Sequence, residues 1–219
     1  MSLDTDVVIV GGGPVGLVIA LLLARDGIKV TVVEANGEVN PSPRAAAYGA
    51  AAVDVLERAG IAQECRDIGL GEADTIRWIT AKGKLVASVP RPKSTHDPVV
   101  CGQHQVAGVI LEHLAKYPHA SVLWNHRLSA LKDNGDSVTA VCETHINETV
   151  HITGRYLVGA DGARSTTRKL VGCTFDGFTY DKMVVATNVR FPFDKYGFSF
   201  AQFVVDPNHF ALVRLLPFS

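Results

Sequence analysis

Cysteine is scarce in this sequence, and its placement excludes more than it supports. Cys65, Cys101, Cys142 and Cys173 stand far apart with no Cys-x-x-Cys among them. That spacing indicates no disulfide framework and predicts free thiols in a reducing, cytoplasmic compartment. The histidines show no ligand spacing for zinc, so no metal site is expected. A surplus of one charge is missing too: the formal net charge is −1, which gives no electrostatic case for nucleic acid. The amino terminus, Met1-Ser2-Leu3-Asp4-Thr5-Asp6, is polar and acidic and does not read as a signal peptide. Without secretion, the sequon Asn147-Glu148-Thr149 reads as a turn. The apolar run from Val7 to Ala24 is interrupted by three consecutive glycines and Pro14, and Asp4 and Asp6 precede it, so it is not a membrane span. What is left is 47% hydrophobic, enough to bury a sizeable core.

The stretch from Asp6 to Glu34 organises the chain. Val7 to Val10 is a β-branched run of the kind buried on both faces of a parallel sheet. Gly11-Gly12-Gly13 forces a turn, and Gly16 opens an apolar run to Arg25 that reads as a helix. Asp26-Gly27 stops it, and Lys29 to Glu34 is a second strand. This βαβ unit has a chemistry written into it. Gly11 permits the sharp turn, Gly13 lets backbone approach a diphosphate, and Gly16 lets helix and strand lie close. The N–H groups of Val15 and Gly16 at the helix start favour bound phosphate, and Pro14 at the first helical position loses a donor that would be unpaired anyway. Glu34, ending the second strand, can accept hydrogen bonds from ribose hydroxyls and disfavours a 2′-phosphate, so FAD or NAD is expected over NADP.

A polar loop, Asn36 to Pro43, and Arg44 precede a helix predicted over Ala45 to Ala59. Arg44 reads either as a cation beside a cofactor or as a surface arginine. Thr75–Ile79 and Lys84–Val89 flank Ala81-Lys82-Gly83 as a hairpin, followed by a loop marked by Pro90, Pro92 and Pro98. Gln103 to Lys116 is a helix, and Gln103 at its start is either a ligand amide or a capping or solvent-facing residue. Strands over Val122–Leu131 and Val138–Thr144 enclose the turn Asp133-Asn134-Gly135-Asp136, and a further strand runs from Thr149 to Thr153.

The second informative stretch is Tyr156 to Ser165, an apolar strand ending in Gly159-Ala160-Asp161-Gly162 before a helix with Ser165 as N-cap. An acid at the carboxyl end of a parallel strand is where an α/β sheet makes ligand contacts, although a ligand-free Asp-Gly turn fits as well. Strands are then predicted over Met183–Phe191, Phe198–Val205 and Phe210–Leu216, rich in aromatics and belonging with the Thr75–Val89 hairpin.

Taken together, Val8 to Glu34, Arg44-Ala45, Gln103 and Gly159 to Ser165 resemble the class A flavoprotein monooxygenases. These are the aromatic hydroxylases related to para-hydroxybenzoate hydroxylase and phenol hydroxylase. The resemblance covers the chain as about the amino-terminal half of such an enzyme. It implies that Gly11, Gly13 and Gly16 bind the FAD diphosphate and Glu34 the adenosine ribose. Arg44 and Gln103 fall where the family places side chains along FAD, and Leu128 where it has a backbone contact to adenine. Asp161-Gly162 matches an Asp-Gly motif associated with FAD and NAD(P)H, accompanied by Arg164 and Arg168. Such enzymes reduce FAD with NAD(P)H and transfer one atom of O₂ to an activated ring. No side-chain nucleophile is required and none is nominated.

The expected fold is α/β, a Rossmann-like FAD-binding domain with a β-meander plus part of a mixed-sheet substrate domain. Residues 1–72 and 99–177 are assigned to the first, and 73–98 and 178–219 to the second. The family's third motif, Gly-Asp-Ala-Ala-His, has no counterpart after Asp161. A truncated enzyme is therefore expected, binding FAD weakly, aggregation-prone and without hydroxylase activity alone. A non-catalytic flavin-binding remnant or subunit is the alternative in a different class. An NAD-dependent dehydrogenase leaves Arg44 and Asp161-Gly162 unexplained. A flavin-dependent halogenase would carry a Trp-x-Trp-x-Ile-Pro stretch, whereas Trp78 and Trp124 stand far apart.

Overall fold

The computed structural model describes residues 4–42, 44–69, 75–90, 98–198 and 201–215. The predicted loop positions Pro43 and Pro92, the predicted domain boundary at residues 72/73, Phe200 and the end of the last strand at Leu216 lie outside them. The β-branched runs form strands β1 (Thr5–Val10) and β2 (Val30–Val33), parallel and in register from Val7↔Val30 to Val10↔Val33. Between them runs helix α1 (Pro14–Arg25), with Pro14 in its first turn as expected. Its inner face, Leu17, Ala20, Leu21 and Ala24, is buried in one core with Val106, Ala107, Val109, Ile110 and Leu114 of a later helix. Each fully buried leucine there contributes roughly 1.5–3 kcal/mol.

After β2 the sequence pattern predicted a helix from Ala45, but helix α2 spans Ala50–Arg58. The lost turns have a cause: Tyr48 forms an antiparallel bridge with Val99, its N–H donating to Val99 O at 2.9 Å, which holds this segment extended. A short helix α3 (Ala62–Asp67), distinct from the one predicted before it, follows and buries Ala62 and Cys65. The hairpin stands as β3 (Thr75–Thr80) and β4 (Leu85–Pro90), and the next helix as α4 (Gln103–Leu114).

The predicted strand Val122–Leu131 is two strands, β5 (Ala120–Leu123) and β6 (His126–Asp133). Between them Asn125 adopts φ 59°, a left-handed conformation that asparagine tolerates better than most residues and that ends a strand. β5 joins the parallel sheet beside β2, and β6 pairs antiparallel with β7 (Val138–Thr144). Conversely, the two segments predicted around Gly154 are one strand, β8 (Thr149–Gly159). Its first half pairs antiparallel with β7 and its second half parallel with β1, and Gly154 sits opposite both Val138 and Thr5. A Cβ at Gly154 would meet Val8 Cγ2 at 3.0 Å. The glycine that looked like a strand end is the seam between meander and parallel sheet. The resulting order is β5-β2-β1-β8-β7-β6. Helix α5 (Thr166–Leu170) follows β8.

A second, mixed sheet has the order β10-β9-β3-β4, with β9 (Ala201–Val205) parallel to β3 and antiparallel to β10 (Ala211–Arg214). This bears out the expectation that the Thr75–Val89 hairpin belongs with the late strands. The strand predicted over Met183–Phe191 does not form. Val184 is 95% exposed and Met183 91%, and β-branched residues specify a strand only where a neighbour offers a ladder and apolar surface. Among the described residues no strand lies beside this segment.

Candidate functional site

The carboxyl ends of β1, β2 and β8 converge on the glycine turn. Gly11 N–H donates to Val33 O at 2.8 Å, and Ala160 N–H to Val10 O at 2.8 Å, so the turn is tied to both neighbouring strands. Gly11 has φ 110°, and a Cβ there would sit 2.5 Å from Ala160 O and 2.9 Å from Asp161 N. A Cβ at Gly12 would strike Glu34 Cβ at 2.9 Å, and one at Gly16 would overlap the Gly11 carbonyl oxygen. These three glycines are required by packing. Gly13 is different: φ −75° and ψ 176° suit any residue, and nothing lies within 4 Å of the Cβ it lacks. Its bare backbone faces open space at the start of α1.

The first bond of that helix runs from Leu17 N–H to Gly13 O at 2.9 Å. The N–H groups of Val15 and Gly16 therefore precede the intrahelical ladder, and no side chain caps the end. Val15 is exposed. Free donors, the positive end of α1 and an open approach over Gly13 are the features that could cradle a diphosphate. The donor set and the empty space fit the FAD the sequence led us to expect.

Glu34 lies on one flank. Its Oε2 accepts from Gly12 N–H at 2.7 Å, and its Oε1 accepts from Asn36 N–H at 2.8 Å and Asn36 Nδ2 at 2.6 Å. The main chain here is pinned to the start of β6: His126 N–H donates to Glu34 O at 2.8 Å and Asn125 N–H to Asn36 O at 2.9 Å. Leu128 follows two residues later, buried opposite Cys142 at a β-bulge, and packs with Val10 and Val33. Glu34 and Leu128, far apart in sequence, are thus brought to one end of the sheet. Asn36 and Asn125 were not singled out from the sequence. The Asn36-Gly37 pair was a signal for a turn, but nothing local showed that it would meet residue 125.

On the other flank, Asp161 closes the start of α5. Ser165 Oγ donates to Oδ1 at 2.5 Å, and Thr166 and Thr167 N–H donate to Oδ2 at 2.7 and 2.9 Å. Ser165, the expected N-cap, accepts from Arg168 N–H at 2.9 Å. Gly162 has φ 80°. Arg168 Nη2 donates to Ala163 O at 3.0 Å and its guanidinium lies 4.6 Å from the Phe175 ring centre, while Arg164 is exposed. The Asp161 side chain is engaged by its own helix, and what it adds to the turn is its backbone against Gly11.

Burial acts to raise the Asp161 carboxyl, but the Ser165 hydroxyl and the Thr167 and Thr166 amides outweigh it and hold it below the ordinary carboxylate value. A depressed folded-state pKa stabilises above the unfolded value of ~4, and that contribution is lost as pH falls through the folded value. The Thr166 and Thr167 amide resonances should follow this titration with a midpoint below the ordinary carboxylate value of ~4. Asp161→Asn should abolish that titration.

Arg44 and Gln103 are related through the Tyr48–Val99 bridge. Arg44 precedes Tyr48 by four residues and Gln103 follows Val99 by four, so the antiparallel sense carries both to the same side of the bridge. Arg44 is exposed, with φ 40°, an uncommon conformation for a non-glycine residue. Gln103 begins α4, but the capping role belongs to Gln105, whose Oε1 accepts from Gly102 N–H at 2.7 Å. Among the described residues Gln103 makes no side-chain hydrogen bond, so its amide remains available.

The sequence and the fold are both similar to those of known proteins. Para-nitrophenol 4-monooxygenase of Pseudomonas sp. (strain WBC-3) is 40% identical over 212 residues, an alignment covering 94% of this chain and 52% of that protein. The crystal structure of p-nitrophenol 4-monooxygenase PnpA from Pseudomonas putida DLL-E4 superposes with a TM-score of 0.89 at 35% identity, covering 98% of this chain and 55% of that one. Aklavinone-11 hydroxylase, solved as a ternary complex with FAD and aklavinone, gives a TM-score of 0.68 at 26% identity, over 78% of this chain and 35% of that one. The chain thus spans about half the length of the monooxygenases it matches first. Since its residues 4–219 match the family described as an FAD binding domain, the chain belongs to that family of class A flavoprotein hydroxylases.

Proposed function

We propose that this chain carries the FAD-binding part, and some of the substrate-binding part, of a monooxygenase that hydroxylates a small aromatic molecule using NAD(P)H and O₂. The observation that carries this reading is the open cradle over Gly13, bounded by Glu34 on one flank and the Asp161 turn on the other. Gly11 and Gly16 shape the turn, and the Gly13 backbone and the N–H groups of Val15 and Gly16 face the diphosphate. Glu34 takes the adenosine ribose, and the Leu128 backbone lies toward the adenine. Arg44 and Gln103 lie along the cofactor, and Asp161-Gly162 borders it from the β8 end. When bound, FAD supplies the redox and oxygen chemistry. The protein binds it, fixes its direction and keeps water from the reacting ring.

Residues 1–72 and 99–177 form the cofactor domain in this reading, and 73–98 and 178–219 contribute to the substrate domain, in a cytoplasmic enzyme. The second sheet supports an aromatic ligand. Trp78 and Phe203 stack with centroids 5.4 Å apart, Phe210 lies 6.2 Å from Phe203, and Leu212 pairs with Phe203 in the ladder. Phe210 and Leu212 remain exposed, leaving an aromatic face able to receive a flat ring.

The test uses the polypeptide encoded by the whole reading frame that contains these residues, supplied with FAD, NAD(P)H, O₂ and 4-nitrophenol or a related phenol. Oxidation of NAD(P)H in step with ring hydroxylation is expected. Steady NAD(P)H oxidation that no phenol changes, with no hydroxylated product, would contradict the assignment.

A further inference from the structure

Glu34 alone cannot serve both hydroxyls of a ribose diol in this structure. A carboxylate offers about four acceptor sites. Oε1 already accepts two hydrogen bonds, from the Asn36 N–H and Nδ2, and Oε2 accepts one, from Gly12 N–H. One site is left, on Oε2, whereas vicinal hydroxyls present two donors. Asn36 resolves the shortfall. Its Nδ2 is committed to Glu34, which fixes the orientation of the amide and leaves Oδ1 as an unused acceptor beside the same carboxylate. The side chain is exposed, so a ligand can reach it.

The position is also set in advance. Asn36 O accepts from Asn125 N–H, Glu34 O accepts from His126 N–H, and a Cβ on Gly37 would lie 3.1 Å from Asn125 Oδ1. Main-chain bonds on both sides hold the 34–37 turn against the start of β6, so the amide does not have to be ordered by the ligand.

We propose that Asn36 is the second acceptor for the adenosine ribose, its Oδ1 taking one hydroxyl while Glu34 Oε2 takes the other. This rests on the reading of the glycine turn as an FAD site and extends it to a residue outside the glycine-and-acid pattern. It also gives Asn36 a dual part, since the same amide that accepts from the ribose donates to Glu34 and aims it.

Binding of FAD, ADP, 2′-deoxy-ADP and 3′-deoxy-ADP to the wild-type chain and to Asn36→Ala provides the test, the nucleotides being read by displacement of FAD. Losing one such hydrogen bond should weaken FAD and ADP by about tenfold. Because Asn36 also aims Glu34, the variant should weaken the one deoxy ligand that lacks the hydroxyl Asn36 accepts less than it weakens ADP, while the other deoxy ligand loses as much as ADP does. Equal weakening of ADP and both deoxy nucleotides would overturn the proposal, because Asn36 would then act through Glu34 alone. Unchanged FAD affinity in Asn36→Ala would overturn it too. A folded wild-type chain that binds neither FAD nor ADP would overturn both the proposal and the reading beneath it, a result distinct from the other two.

Discussion

Gly16→Ala is expected to destabilise the chain by more than about 3 kcal/mol, the upper range for forcing atoms into a packed site. Two effects oppose each other here. Alanine in a helix interior is favoured over glycine by about 1 kcal/mol, and Gly16 lies within α1. Against this, its Cβ would overlap the Gly11 carbonyl oxygen and lie 3.3 Å from Ala160 Cβ. The obstacle is backbone, and it cannot swing aside. Gly11 is itself held by Val33, and Ala160 by Val10, so neither strand end can retreat without breaking a main-chain hydrogen bond. Packing wins over propensity. Thermal unfolding followed by circular dichroism should show a fall of roughly 6–12 °C for a domain of this size. A rise would mean that the close approach of helix and strand is not the reason for glycine at position 16.

Gly13→Ala should do the opposite, sparing the fold and removing the cofactor. Its backbone angles suit alanine, and a Cβ meets nothing within 4 Å. The stability loss should stay below about 1 kcal/mol, the difference between glycine and alanine at an N-cap. In the proposed site the methyl group would stand in the space a diphosphate crosses to reach the N–H groups of α1. A loss of about a hundredfold in FAD affinity is expected, since an unrelieved methyl overlap costs about 1–3 kcal/mol. The contrast between positions 13 and 16 separates what the glycines do for the fold from what they do for a ligand. Comparable FAD binding by Gly13→Ala and wild type would remove the diphosphate from this turn.

The parts of the fold legible in the sequence were those specified locally. Val7–Val10, the three glycines, Pro14 and the β-branched run to Glu34 each announce their own conformation, and β1, α1 and β2 follow. Ser165 was legible as an N-cap for the same reason, because it bonds an amide three residues away. What escaped was decided by partners distant in the chain. The extended conformation around Tyr48 is imposed by Val99, not by the helix-favouring alanines beside it. The break at Asn125 exists because β5 pairs with β2 while β6 pairs with β7, and the run from Val122 to Leu131 does not show which of its residues joins which strand. Met183 to Phe191 failed from the other direction, with strand-forming residues and no neighbour to pair with among those described.

The site divides along the same line. The glycine pattern and Glu34 could be read from spacing, since strand, turn, helix and terminal acid occur in fixed order. The placement of Asn36 could not, because it depends on a carboxylate that folds back onto Gly12 and on β6 arriving from ninety residues away. Asp161 was legible as a position at a strand end. Only the folded chain shows that its carboxylate is spent on α5.

The glycine turn is tested as a flavin site most directly by titrating residues 1–219 with FAD, read by flavin fluorescence and anisotropy, on a sample shown to be folded by circular dichroism. Saturable binding that ADP displaces, and that Gly13→Ala weakens about a hundredfold, is expected. Flavin that stays wholly free at every concentration, with the protein folded, would contradict that role.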